Sequence, residues 1–447
     1  MLNDMFAHIT FSAGISLTVL IVVYYFLISE KLPKAVVAIL GGVSLIALQV
    51  FRSQNGSSQE NAFAFISHNL DILGFVIGMM ILVGIVRESG AFEAAAIGLV
   101  KFVKGRPEAL LIAIGYLTLF MTAVFSNIPT VLILAPVVLV LLRELKLPAL
   151  PFIFIVVTMA NLGGAMTPIS DPTTYYQAKT VGLSFMEVVS NSGFIVLILS
   201  VVSMLYALII FRKDLHSVRV NEKDVALFKP LKALQNRYIL RVGIPITVFT
   251  IILMIFKERI VSATGIALDN ATLTIGASFL CILLFHKEPR EVFRNLVDWE
   301  IIFFFIGLFV VVGSLEFSNV ISALANGLIS VTQGNVTSLL LLISVGSGFL
   351  STFIDNVPYN ITMVGAIQAM EKTGIAVYPL WWALNLGTSI GGAGSPIAAA
   401  CNVIVFGQAE KEKIHIHFVK YLLLALPLVL INSLITFGIL WLKFFVI

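Results

Sequence analysis

One register runs through this chain twice. Residues Asp71–Gly84 (DILGFVIGMMILVG) lie against Glu300–Gly313 (EIIFFFIGLFVVVG) at an offset of 229. The register pairs Ile72 with Ile301, Phe75 with Phe304, Gly78 with Gly307 and Gly84 with Gly313. It continues through Asn127 with Asn356 and Pro129 with Pro358. After a slip of one residue, Gly163–Ile169 (GGAMTPI) matches Gly391–Ile397 (GGAGSPI). A register held through two unrelated motifs marks an internal duplication. It divides the chain into a first repeat over residues 1–215, a connector over 216–237 and a second repeat over 238–447.

Composition fixes the medium in which these repeats fold. Of 447 residues only 12% are charged and 59% are hydrophobic, with a mean hydropathy of +1.03. A soluble domain carries about 25% charged residues. Apolar runs of roughly 17 to 25 residues recur, long enough to cross a bilayer as helices. The fold class is therefore an all-α polytopic membrane protein. No short apolar segment precedes a small-residue cleavage site, so no removable signal peptide is expected. Cys281 and Cys401 are far apart and form no CxxC, which argues against a zinc site or a disulfide framework. His415 and His417, spaced i, i+2 among charged residues, read as a solvated loop rather than a metal site. With no phosphate-binding loop and no nucleophile–base constellation, neither an enzyme nor a bound cofactor is expected. The net charge of +4 belongs to loops rather than to a nucleic-acid surface.

Charge placement orients the repeats. The connector region Arg212–Arg241 holds eight Lys or Arg against three acids, which places it in the cytoplasm. HKEPREVFRN (His286–Asn295) is basic, whereas its counterpart SQNGSSQEN (Ser53–Asn61) has no Lys or Arg. EKEKIHIH (Glu410–His417) is basic too, and its counterpart around AKTVGLS has one lysine. Equivalent loops of opposite character imply inverted topology. The expected architecture is about ten transmembrane helices plus two re-entrant hairpins, over 108–143 and 337–371, with broken helices over 149–178 and 379–408 and both termini outside.

The polar interruptions point to function. Backbone that leaves the helical ladder within a membrane is buried in protein or lines a wet cavity. Inverted repeats with broken helices are the signature of secondary transporters, whose sites lie near the midplane. Proline suits the first turn of a helix, so Pro129, Pro358, Pro168, Pro396 and Pro172 suggest half-helices whose positive N-termini face a solute. The candidate residues at the first tip are Ser126, Asn127 and Thr130; in the first break they are Asn161, Gly163, Gly164, Thr167 and Asp171. The second tip offers Asp355, Asn356 and Asn360, and the second break Thr388, Ser389, Gly391, Gly392 and Ser395. The glycines permit unwound backbone. Two acids fall inside the breaks and are the coupling candidates. Asp171 directly precedes Pro172 and reads partly as an N-cap; Asp355 has no such immediate cap geometry and is the first choice.

The segments FIDNVPYNITMV, GGAGSPIAAACNVI and NLGGAMTPISDPTT resemble the ion transporter superfamily, within it the arsenical pump and melanosomal P-protein branch. The resemblance implies a secondary transporter with scaffold and transport domains, elevator-like movement and a homodimer in the inner cell membrane. Related dicarboxylate carriers use Ser-Asn-Thr at both tips, but here the tips read Ser126-Asn127-Ile128 and Asp355-Asn356-Val357. P-like members carry Asp-Asn at the first tip and Pro-Asn where this chain has Thr173-Thr174. The leading expectation is proton-coupled efflux of arsenite or antimonite. Their uncharged hydroxides suit hydroxyl, amide and backbone groups, and no Lys or Arg lies in the breaks. The alternatives are a sodium/proton antiporter with Asp355, Asn356 and Thr388 around the cation, or an anion/dicarboxylate permease. An ATPase partner, if one drives transport, would dock on the basic 212–241 loop.

Overall fold

The computed structural model describes residues 11–29, 32–53, 57–104, 106–216, 229–266 and 268–446. Most of the connector expected over 216–237, and the start of the chain, lie outside them. Among the described residues the chain is helical, without a strand. In the first half the helices are α1 (Phe11–Ser29), α2 (Lys34–Ala47), α3 (Ser58–His68), α4 (Leu70–Arg87), α5 (Ala91–Phe102), α6 (Pro107–Phe125), α7 (Asn127–Glu144), α8 (Ala149–Gly164), α9 (Pro172–Val181) and α10 (Phe185–Ile210). The second half holds α11 (Arg237–Thr264), α12 (Asn270–Leu284), α13 (Pro289–Leu296), α14 (Trp299–Phe317), α15 (Val320–Thr332), α16 (Val336–Phe353), α17 (Asn356–Glu371), α18 (Tyr378–Gly392), α19 (Ala400–Lys411) and α20 (Phe418–Trp441).

Eight of these helices are long and apolar enough to cross a membrane, and five shorter ones are also apolar. Three of the eight, α6, α7 and α16, are arms of hairpins. The sequence reading had not resolved α3, α5, α13 and α15. Helices α5 and α15 begin at equivalent positions, each after a residue in the left-handed region, Gly90 (φ 74°) and Asn319 (φ 61°). Glycine takes that conformation freely and asparagine tolerates it. Gly90 is needed for space as well: a Cβ there would overlap the carbonyl of Ala233.

Matched sequence gives matched packing. Gly307 lets α14 lie directly on the backbone of Ala38 and Ile39 in α2. Its mate Gly78 lets α4 lie on the backbone of Thr274 and Ile275 in α12. The contacts α6–α8 and α16–α18 correspond in the same way, as do α7–α19 and α17–α9. Helices α1–α4 and α11–α14 form one body, and α6–α10 with α16–α20 form another. The bodies meet where α4 touches α7 and α9, where α14 touches α17 and where the start of α10 touches α11. Helices α5 and α15 lead from the first body onto α7 and α17 of the second.

Side-chain contacts identify the two ends of this array. At one end Arg143 pairs with Glu412 (2.7 Å), His216 with Glu108 (3.3 Å) and Lys287 with Glu88, while the Gln235 amide donates to the Ser89 carbonyl (3.0 Å). At the other end Lys179 pairs with Asp71 (2.6 Å) and Lys443 donates to Asn191 (2.6 Å). There too the Tyr378 hydroxyl reaches Glu187 (3.5 Å). Helix α6 starts and α7 ends at the first, connector-bearing end, so this pair turns back at Ser126 inside the array. Helices α16 and α17 turn back at Ile354–Asp355, and the next helix begins with Tyr378 at the opposite end.

Candidate functional site

Each hairpin tip docks on a helix break through the same two bonds. The Asn127 amide donates to the Ser170 carbonyl at 3.0 Å, and the Asn356 amide to the Ala398 carbonyl at 2.9 Å. The Thr167 hydroxyl donates to the Ala123 carbonyl at 2.7 Å, and the Ser395 hydroxyl to the Thr352 carbonyl at 2.6 Å. Four helices, α7, α9, α17 and α19, therefore start close together. Asn127, Pro172, Asn356 and Ala400, at or beside their first turns, line one cavity of about 570 Å3. Its rim includes Leu32, Pro33, Asp298 and Glu300, so it opens toward the connector end.

The prolines are placed differently from expectation in two cases. Pro172 opens α9, and Pro129 and Pro358 lie in the first turns of α7 and α17. Pro168 and Pro396 start no helix; they sit in the turns between α8 and α9 and between α18 and α19. The chain needs those turns to present Ser170 and Ala398 to the hairpin tips.

Both aspartates line the cavity and both cap a helix. Oδ1 of Asp171 accepts from the Thr173 amide (2.8 Å) and hydroxyl (2.5 Å), and its other oxygen accepts from Asn127 Nδ2. Asp355, expected to lack cap geometry, caps α17: Oδ1 accepts from the Val357 amide at 3.2 Å. Its Oδ2 accepts from Lys34 Nζ at 2.8 Å, with the Asp355 side chain 4% exposed and that of Lys34 20%. The breaks hold no basic residue, yet the site does, because α2 brings a lysine to it from the other body. The acids are distributed unevenly. Asp355 stands where the first repeat has Ser126, and Asp171 stands where the second has Ala399.

The remaining candidates divide by what they touch. Ser126 joins α6 to α7 at φ 74°, ψ 157°, a region that is essentially reserved for glycine. Thr130 Oγ1, Asn161 Oδ1, Asn360 Oδ1 and Ser389 Oγ are buried without a hydrogen-bond partner. Native proteins rarely leave such atoms unsatisfied, and these lie on helices that border the breaks. Asn161 donates to the Val157 carbonyl and to Asn402 Oδ1, both at 2.8 Å. Asn360 Nδ2 lies 3.4 Å from Gln177 Oε1 and from Thr388 Oγ1, whose hydroxyl is turned back to the Leu384 carbonyl (2.8 Å). The Gly392 Cα faces the side chains of Asn161 and Asn356, and Gly164 faces Asp171. Gly163 and Gly391 instead sit against α6 and α16, where a Cβ would meet the carbonyls of Leu119 and Gly348. With Thr167 and Ser395 they fix the frame of the site.

Three contributors escaped the sequence reading. Asn402 donates to the carbonyls of Gly392 (2.6 Å) and Ser395 (2.7 Å) while accepting from Asn161, which ties the second break to α8. Its repeat mate Thr174 has its hydroxyl 2.7 Å from the Gly164 carbonyl and 2.8 Å from Asn385 Oδ1, able to donate its one proton to either, and the shared register was the available signal. Lys34 carried no such signal: beside Pro33, before an apolar run, it reads as an interfacial anchor. Among the described residues no cluster of three His, Cys, Asp or Glu side chains could hold a metal ion.

The chain matches the citrate transporter family (CitMHS) over residues 24–387. An uncharacterized transporter of Mycobacterium tuberculosis is 28% identical, over 97% of this chain and 99% of its own length. The P protein of Homo sapiens is 24% identical over 94% of this chain, corresponding to 58% of the longer human protein. Among solved structures, the Alcanivorax borkumensis YdaH transporter superposes with a TM-score of 0.57 at 15% identity, covering 92% of this chain and 97% of that one. That likeness is one of fold. The likeness to P protein seen in the break motifs thus extends along nearly the whole chain. With its family match spanning the hairpins and the first part of the second break, this chain belongs to the citrate transporter family of the ion transporter superfamily and is a polytopic membrane transporter.

Proposed function

We propose that the protein is a secondary active transporter in which Asp355 binds and releases the coupling proton while a small polar solute occupies the adjoining cavity. One observation carries this reading. A buried carboxylate at the meeting point of four helix N-termini is held from one body by the Val357 amide and from the other by Lys34. A group that joins two bodies and can change charge couples ion binding to their relative movement. The second body would slide against the first in elevator fashion. Lys and Arg at the connector end orient that end to the cytoplasm, so the cavity faces inward across the inner membrane. The superfamily likeness favours a homodimer.

Arsenite or antimonite, as the uncharged hydroxide, suits the side-chain amides of Asn127 and Asn356, which line the cavity. A second reading, a carboxylate such as citrate, is favoured by Lys34 in the cavity and by the family to which the chain belongs. A sodium/proton antiporter draws less support, because Thr388 is not among the residues that line the cavity with Asp355 and Asn356.

The test is flux in inside-out vesicles under an imposed pH gradient, with arsenite and citrate offered separately, with and without sodium. Proton-driven accumulation of arsenite, lost in Asp355→Asn, supports the first reading. Accumulation of citrate alone moves the assignment to the second. Sodium-dependent collapse of the pH gradient with neither solute moved would establish an antiporter. Gradient-driven flux that survives Asp355→Asn would remove Asp355 from the mechanism.

A further inference from the structure

We propose that Lys34 is a tethered cation that competes for the ion site at Asp355, filling it whenever no transported cation does. The proposal rests on the reading of Asp355 as the coupling carboxylate and assigns the residue that makes its occupancy an exchange.

The placement of Lys34 is unfavourable for its own helix. It is the first residue of α2, where the macrodipole disfavours a cation. Its ammonium nevertheless reaches a carboxylate that is almost wholly buried on the other body. Among the described residues, Lys34 is the one basic side chain that lines the cavity. Both oxygens of Asp355 are engaged, Oδ1 by the Val357 amide and Oδ2 by Nζ. An incoming cation therefore meets an ammonium already at Oδ2 and competes with it for the carboxylate charge.

A displaced ammonium has somewhere to go. Asp298 and Glu300 line the rim of the same cavity, and a lysine stem is long and flexible enough to swing between acceptors. Among the described residues, Asp171 beside α9, Tyr24 of α1 and Cys401 of α19 also feel the Asp355 charge. None of these is basic. Removing the lysine without a replacement would leave a buried carboxylate uncompensated, which is strongly unfavourable. Asp355 is thus neutralised either by Lys34, which ties the two bodies together, or by a transported cation, which frees them. The ion-free second body stays bound to the first, and an empty return stroke is suppressed.

The experiment uses the full chain in proteoliposomes, with Lys34→Gln, Lys34→Arg and Asp355→Asn. Pyranine trapped inside reports proton leak under a pH gradient with no solute, with and without added sodium chloride. A fluorescent hydrophobic carbodiimide reports access to Asp355 at a fixed neutral pH. Lys34→Gln should raise the solute-free leak about tenfold and carbodiimide labelling at least fivefold, while Lys34→Arg should keep both near wild type. Asp355→Asn should abolish that labelling and all gradient-driven flux. If Asp355→Asn behaves so but Lys34→Gln, eluting as folded protein, changes neither leak nor labelling, the tether is refuted and the coupling role stands. Gradient-driven flux retained in Asp355→Asn would instead overturn the coupling role itself. A Lys34→Gln protein that fails to fold transfers the decision to Lys34→Arg, whose leak at the wild-type level supports the tether and whose tenfold leak refutes it.

Discussion

Lys179 Nζ lies 2.6 Å from Asp71 Oδ1 and 2.8 Å from the His68 carbonyl, at the end of the molecule opposite Lys34. Lys179 belongs to α9 of the second body, and Asp71 to α4 of the first. Beside this pair is a cavity of about 590 Å3 bordered by His68, Asn69, Tyr176 and Glu316. A cavity thus lies between the bodies toward each end, and each has an ion pair that bridges the two bodies. Joining residues 71 and 179, each replaced by cysteine, with a short bifunctional thiosulfonate should stop transport, with recovery on reduction. Both native cysteines are buried, so the reagent should report the introduced pair. Full flux in the cross-linked protein would show that these helices do not separate during transport.

Asn402 holds two carbonyls of the second break and one amide of α8. Asn402→Ala leaves those buried groups unpaired, at about 1–3 kcal/mol for each one that finds no replacement. The expected result is a loss of about 2–4 kcal/mol in unfolding free energy in detergent, together with loss of transport. An unchanged melting temperature would show that the break is held by other means.

Gly163 and Gly391 make the same prediction twice. A Cβ would stand 2.7 Å from the Leu119 carbonyl oxygen in one case and 2.5 Å from the Gly348 carbonyl oxygen in the other. Those atoms are backbone and cannot turn aside, so each alanine variant should lose about 1–3 kcal/mol. Gly407, on α19, has nothing within 4 Å of its added Cβ. Gly407→Ala should be neutral or gain up to about 1 kcal/mol from helix propensity. Thermal unfolding of the three variants side by side separates crowding from propensity.

Ser126 carries backbone strain at the first hairpin tip, with φ at 74° and ψ at 157°. Replacing it by glycine should release about 1–3 kcal/mol and raise the melting temperature, whereas Ser126→Ala should not. A glycine variant no more stable than the alanine one would show that the tip is not strained.

What the sequence made legible is governed by chain proximity. Proline, asparagine and glycine inside apolar runs revealed where helices stop, because each acts on its own backbone. The Asn127 and Asn356 amides meet the breaks at positions where the two repeats correspond. Thr167 and Thr130 could not be told apart in this way. One hydroxyl serves a carbonyl of its neighbouring hairpin arm, the other has no partner, and the difference depends on helix rotation. Lys34 was invisible for a stronger reason: its partner is 321 residues away, and only packing of α2 across the interface brings them together. Helices α5 and α15 were missed because a short amphipathic stretch between spans reads as loop until its packing is known.

The uneven sharing of the acids bears on how such a molecule could have arisen. A half-length ancestor assembling with its own copy would present the same tip and the same break on both sides. Two copies of the present first half would hold a pair of break aspartates and serines at both tips; two copies of the second would hold a pair of tip aspartates and alanines at both breaks. Neither assembly contains the present combination, in which one half supplies Asp171 and Lys34 and the other supplies Asp355. The two halves are therefore complementary rather than interchangeable, and neither could stand in for the other.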